Sequence, residues 1–254
     1  MHFIRHFAFA LTFLTRIPFT VEIEYDDSLP SKSMSYYPLV GGIIGIILFT
    51  VDYLLQQFLP AGVFNVLLLI LLVYLTGGLH LDGFIDTADG VFSARKKDKM
   101  LEIMHDSLIG AFGAVALVLL LLFKYSLLLE LSGGGRAPVL VLMPIISRWF
   151  IVFAAYRYPL AVSSKLGKGF NYHLGLKQLF MATVFLMIFT GSVIYFSAFT
   201  LLTGLIIFLS CFLFTLIFTR WVINLLGGLT GDIYGALNEI IEVLVLFVYI
   251  IIGG

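Results

Sequence analysis

The chain has 254 residues, of which 61% are apolar and only 12% charged, and its mean hydropathy is +1.08. A soluble domain carries roughly a quarter charged residues, so this composition excludes an ordinary soluble fold and fits a polytopic membrane protein. Formal net charge is zero and Cys211 is the single cysteine; there is no global field to recruit nucleic acid, and neither an internal disulfide nor a Cys-based zinc cluster is available.

Residues 1–20 are apolar and aromatic, with Arg5 and Arg16 near the two ends and no small-residue cleavage pattern after Pro18. The run is short for a crossing and reads as an N-terminal interfacial helix with its arginines among lipid headgroups, not as a cleaved signal peptide. Residues 21–35 carry Glu22, Glu24, Asp26, Asp27 and Lys32 and read as a surface loop. A first span follows from Tyr36 to about Phe58, where Gly41 and Gly45 at GxxxG spacing predict close packing against a neighbour. Leu59 to Gly62 turn the chain, and Val63 to Leu75 returns it to the stretch from Gly77 to Ile109, the longest polar region. Further spans read at Gly110–Leu131, Val139–Tyr156, Gln178–Phe196, Phe199–Phe218 and Ile240–Ile252. Between them lie a glycine-rich turn with Gly133, Gly134 and Gly135, which lacks P-loop spacing, a basic loop with Arg157, Lys165, Lys168, His173 and Lys177, and a polar interruption near Gly227, Gly231 and Gly235. Those three glycines recur every four residues, as in a helix packing face. The expected fold is therefore an all-α polytopic membrane bundle of about six to seven spans plus the interfacial helix, one domain over residues 1–254.

Threading the spans in order puts residues 21–35, 77–109, 157–177 and 220–238 on one membrane face. Most of the basic residues fall there too, among them Arg95, Lys96, Lys97 and Lys99, and the positive-inside bias assigns that face to the cytoplasm. The run from Arg95 to Lys99 would also meet anionic lipid headgroups.

The candidate chemistry lies in the same region. Asp82, Asp86 and Asp89 fall at i, i+4 and i+7, one face of a helix, where their charges repel. With no basic partner at helical spacing they call for a cation, and Mg2+ suits a few hard oxygens with room left for phosphate. Gly83 and Gly90 would leave space for a ligand. His80 reads as a general base or a hydrogen-bonding partner. Arg95 offers a fork for phosphate. Asp106 stands either as a fourth carboxylate or as the cap of the next helix. Arg148, a guanidinium inside an apolar run, demands a partner or a polar cavity and reads as an anion-binding group. Asp52 and Lys124, nearer the opposite side, read as snorkelling or paired with each other. Asp232 and Asn238 keep a substrate-binding role open.

Carboxylates holding Mg2+ beside Arg and Lys at a membrane surface suit work on a pyrophosphate-bearing substrate. Phosphoryl transfer to an alcohol with nucleotide release, prenyl transfer and ion-coupled transport through acidic residues all fit. The spacing Gly78-x3-Asp82-x3-Asp86 is similar to that of the membrane CDP-alcohol phosphotransferases and, loosely, of the aspartate-rich prenyltransferases, without the DGxxAR half of the former.

A longer string is more specific. Gly77-Gly-Leu-His-Leu-Asp-Gly-Phe-Ile-Asp-Thr-Ala-Asp-Gly90, followed by Leu101-Glu-Ile-Met-His-Asp-Ser-Leu-Ile-Gly-Ala-Phe-Gly113, resembles the signature of the cobalamin synthase family. Phe13-Leu-Thr-Arg-Ile-Pro18, Tyr37-Pro-Leu-Val-Gly41, Ser147-Arg-Trp149 and Gly227-Gly-Leu-Thr-Gly-Asp232 extend the match over almost the whole chain; His105 departs from the more strongly basic residue expected there. The resemblance implies a multi-pass enzyme of a bacterial or archaeal plasma membrane that joins adenosylcobinamide-GDP to α-ribazole, or its 5'-phosphate, and releases GMP. By the same resemblance, Asp82, Asp86 and Asp89 would hold Mg2+, with Asp106 as a further ligand. Arg95 and Arg148 would stabilise phosphate charge, His80 would act as base on the ribose hydroxyl, and Thr230 and Asp232 would line the substrate site. Membrane lipid is an implied partner, nucleic acid is not, and the GxxxG faces leave packing within one chain or in an oligomer open.

Overall fold

In hydrocarbon every backbone N–H and C=O must be satisfied inside its own segment, which leaves helices as the solution for long apolar runs. The computed structural model describes residues 2–19, 25–131, 135–161, 174–197 and 199–252. Along these run α1 (His2–Leu14), α2 (Leu29–Ser33), α3 (Tyr37–Leu55), α4 (Ala61–Thr76), α5 (Leu79–Phe92) and α6 (Lys97–Met104). They continue with α7 (Ala111–Glu130), α8 (Arg136–Arg157), α9 (Leu176–Phe196), α10 (Leu201–Leu226) and α11 (Gly231–Ile251). Among the described residues six segments are long and apolar enough to cross a membrane: Leu29–Leu55, α7, α8, α9, α10 and α11; α4 and α5 pass that test only as a pair bent by 92°. This is the expected all-α polytopic membrane bundle.

The core is built around α8. Its span is 83% buried, against 11% for α9 and 22% for α10. α3 lies closest against it, because a Cβ on Gly45 would stand 2.5 Å from the Val141 carbonyl oxygen and one on Gly41 would strike the backbone at Pro144. The GxxxG pair thus serves packing inside this chain, as small residues do where two helices approach closely. Outward faces of α7, α9 and α10 carry exposed Val118, Leu122, Phe180, Ile188, Leu205, Leu209 and Leu213, a surface that lipid tails cover without penalty. α1 has 13 residues, about 20 Å of helix, and cannot by itself cross a hydrocarbon layer of about 30 Å.

Residues 77–109 carry α5 and α6, and three readings change. The final span begins at Gly231 rather than at Ile240, because Thr230 caps α11 by accepting from the Ile233 N–H at 3.3 Å; Asp232 and Asn238 therefore lie on a helix. Gly227 ends α10 in a left-handed conformation at φ 77°, so the three recurrent glycines form no single packing face. Asp52 and Lys124 are each paired, but not with one another: Asp52 accepts from Arg136 at 2.7 Å, and Lys124 donates to Glu239 and Glu242 at 2.5 and 2.6 Å. Glu22, Glu24, Gly133, Gly134, Lys165, Lys168 and His173 lie outside the described residues.

Candidate functional site

The site begins with a turn. Gly77 and Gly78 hold φ of 62° and 72°, successive left-handed positions that a β-carbon disfavours. The chain therefore swings through 92° between α4 and α5. Beyond the turn α5 rests on the first turns of α11. A Cβ on Gly83 would stand 2.8 Å from the Asp232 carbonyl oxygen, and one on Gly235 would stand 2.9 Å from that of His80. Gly90 in turn faces Met100 and Met104 of α6. Gly83 and Gly90 therefore make room for neighbouring helices, not for a ligand.

This contact gathers the acids. Asp82 is exposed, Asp86 half-buried, and Asp232 of α11 faces both. Burial, then the charges of Asp82, Asp232 and Asp89, push the Asp86 carboxyl up to about 7. Thr230 Oγ1, the cap of α11, also donates to Asp232 Oδ2 at 3.2 Å and holds that carboxylate in place.

Asp89 does something else. It is buried, its Oδ2 accepts from the Gly110 N–H at 2.7 Å, and its Oδ1 accepts from the Gly113 N–H at 2.8 Å. It therefore caps α7, a charge well placed at the positive end of a helix. Asp106, the other reading for that cap, is exposed and accepts from the Leu108 N–H at 3.1 Å in its own turn. Arg95 is exposed at the turn between α5 and α6. Among the described residues no hydrogen bond or ion pair joins Arg95 or Asp106 to the acidic face.

No three His, Cys, Asp or Glu side chains among the described residues form a group that would hold a metal alone. Mg2+ asks for less, since one or two carboxylates suffice when water and substrate phosphate complete its shell. The edge of Asp82 and Asp86, with Asp86 pushed up by its acidic neighbours, fits that donor set.

Two spaces meet at Asp82. An open groove of about 640 Å³ is lined by Thr15, Arg16, Gly77, Gly78 and Asp82. A second, narrower pocket of about 160 Å³ shares Phe13, Leu79 and Asp82 with it and is lined also by Tyr37, His80 and Asp232. Arg16 is anchored by its backbone N–H to the Leu75 carbonyl at 2.7 Å, and its Nε lies so close over Gly77 that a β-carbon there would collide. The sequence reading assigned Arg16 to lipid headgroups and missed this place beside the acids; its signal was the Phe13–Pro18 string.

His80 is buried on the first turn of α5, and its Nδ1 has no protein partner. Burial, followed by the charge of Arg148, drives it down to about 3. It stands neutral, a hydrogen-bonding group rather than a base poised near neutral pH.

Arg148 does not reach the acids. Its side chain is fully buried, and its Nη1 donates to Glu242 Oε1 and to Ser147 Oγ. Glu242 also accepts from Lys124, which holds Glu239 as well. Two cations and two carboxylates thus neutralise one another inside the bundle, which corrects the anion-binding reading of Arg148: the expected partner is a protein carboxylate. Glu239 and Glu242 escaped the sequence reading, although two acids three apart in an apolar run were the available signal.

The model of the family described as cobalamin-5-phosphate synthase matches residues 6–250. The chain is 43% identical over 242 residues, 93% of each chain, to an adenosylcobinamide-GDP ribazoletransferase of Desulfitobacterium hafniense. It is 39% identical over 243 residues to the protein of the same name from Desulforamulus reducens, covering 95% of this chain and 94% of that one. A Fusobacterium nucleatum protein of that name is 34% identical over 271 residues, 97% of each chain. No solved structure matches the chain.

Proposed function

This chain belongs to the cobalamin-5-phosphate synthase family, and we propose that it works at the acidic face where α5 crosses the start of α11. It transfers the cobinamide phosphate of adenosylcobinamide-GDP to ribazole and releases GMP, the reaction that closes the nucleotide loop of cobalamin. The acceptor is α-ribazole or its 5'-phosphate. A ribose hydroxyl oxygen forms a bond to the phosphorus next to the cobinamide arm, the pyrophosphate P–O bond breaks, GMP leaves with that electron pair, and the hydroxyl proton is lost.

The observation that carries the placement is Asp82 at the meeting of two spaces, one lined by Arg16 and the other by Asp232, with Asp86 one turn further along α5. Asp82 and Asp86 are the residues to hold Mg2+, which when bound would neutralise charge on the pyrophosphate and the departing GMP. Asp232, fixed by Thr230, adds a third carboxylate at the edge. Arg16 takes the phosphate role first read for Arg95 and Arg148, because it alone of the three lines the groove beside Asp82. Its guanidinium fork matches phosphate oxygens. Asp89 keeps α7 seated against α5. His80 supplies a neutral hydrogen-bonding nitrogen, and a loose phosphoryl transfer asks little of a base.

The membrane is the plasma membrane, with the acidic face toward the cytoplasm. Support comes from Arg95, Lys96, Lys97 and Lys99, all at this end of the bundle, since cytoplasmic segments favour Lys and Arg. Purified protein in detergent or lipid, given adenosylcobinamide-GDP, α-ribazole and Mg2+, is expected to release GMP in step with corrinoid product and to stop when the metal is chelated. Activity that persists in excess chelator would remove Mg2+ from this reading.

A further inference from the structure

The two substrates differ greatly in bulk, and so do the two spaces flanking Asp82. Adenosylcobinamide-GDP carries a corrin macrocycle and a nucleotide tail, more than a space of about 160 Å³ accepts, since pockets for drug-sized ligands already run to ~300–1,000 Å³. A flat aromatic ring is another matter, for a cavity of ~150 Å³ takes up benzene. The narrower pocket is walled mainly by apolar side chains, among them Phe13, Leu14, Met34 and Ile151. The rings of Phe13 and Tyr37 lie nearly parallel, 19° apart with 6.5 Å between centroids.

Two polar atoms in this apolar wall lack protein partners, Tyr37 Oη and His80 Nδ1. Tyr37 is 2% exposed and His80 5%. Buried polar groups are almost always hydrogen-bonded in native proteins, and both of these residues line one pocket together with Asp82 and Asp232. A space that is aromatic inside, has two hydrogen-bonding atoms and opens toward a phosphate-handling edge matches a planar heterocycle carrying a sugar.

We propose that the pocket between α1, α3, α5 and α11 is the acceptor subsite: it takes the benzimidazole-type base of ribazole against Phe13 and Tyr37 and turns the ribose hydroxyls toward His80 and Asp82. The donor's pyrophosphate then occupies the open groove on the Arg16 side, and the reacting oxygen and phosphorus meet over Asp82. This assignment rests on the ribazoletransferase reading, and it gives the Phe13–Pro18 and Tyr37–Gly41 strings a shared task.

Tyr37→Phe keeps the ring and removes a hydroxyl that has no protein partner, so the variant folds and its thermal midpoint is no lower than that of the parent. Its KM for ribazole is expected to rise about tenfold, as for the loss of one buried hydrogen bond, with a far smaller change in the KM for adenosylcobinamide-GDP. Ile151→Trp, which fills the cavity, should abolish binding of ribazole alone to purified protein by calorimetry while binding of adenosylcobinamide-GDP persists. An unchanged ribazole KM in Tyr37→Phe together with ribazole binding in folded Ile151→Trp overturns the subsite, as does a selective rise in the KM for the corrinoid. If the parent protein itself releases no GMP, the ribazoletransferase reading has failed and takes the subsite with it; GMP release with unchanged ribazole parameters discards the cavity assignment alone.

Discussion

Ionisable side chains in this chain sort into those paired inside the bundle and those on the acidic face of α5, and the two groups respond differently to substitution. Glu242 is fully buried and accepts from both Arg148 and Lys124. Glu242→Ala strands Arg148 and leaves Lys124 with Glu239 alone, and is expected to cost about 3–5 kcal/mol, seen as a large drop in the thermal midpoint in detergent. Asp86 should do the opposite. Burial and its acidic neighbours raise its carboxyl to about 7, so the folded state binds this proton more tightly than the unfolded chain, and stability falls as pH rises from about 4 through 7. Asp86→Asn removes that loss. In chelator at pH 8 its midpoint should exceed that of the parent, although its turnover falls. Asp89→Ala should lower the midpoint, because the N–H groups of Gly110 and Gly113 lose their acceptor.

The placement of α5 depends on glycines that let helices touch backbone to backbone. Gly83→Val would push α5 off Asp232 and part the acidic face. A misplacement of about 1 Å costs on the order of 10²-fold in rate, so GMP release by this variant should fall by about that factor while its spans still insert. The sequence made much of this legible: apolar runs located the spans, and the i, i+4, i+7 spacing located Asp82 and Asp86 on one helical face. It misled where a long-range partner decides the outcome. Asp89 shares the spacing, yet the N-terminus of α7, more than 20 residues on, claims its carboxylate. Arg148 announced a need for a partner, but Glu242 lies 94 positions away in another helix. Arg16 looked like an interfacial anchor because only the fold brings residues 16 and 77 together. Asp232 looked like part of a loop because a single capping threonine, not hydrophobic periodicity, sets where α11 starts.

For the whole molecule, the alternation of spans puts the acidic face of α5 at one end and the Asp52–Arg136 pair near the other. The central helix α8 is sheathed by neighbours, while α9 and α10 present apolar faces to lipid. The sole native cysteine, Cys211, is buried, so an introduced thiol reports without background. Lys96→Cys should react with a membrane-impermeant maleimide in inside-out vesicles and be protected in intact cells; the reverse pattern would turn the acidic face outward. The central claim is that Asp82 and Asp86 form the working edge of a nucleotide-releasing transferase. Its most direct test is GMP release from adenosylcobinamide-GDP and α-ribazole by folded Asp82→Asn and Asp86→Asn proteins beside the parent. Losses of about 10²–10³-fold are expected, as when an electrostatic stabiliser is removed from a reacting centre, and parental rates in both variants would contradict the account.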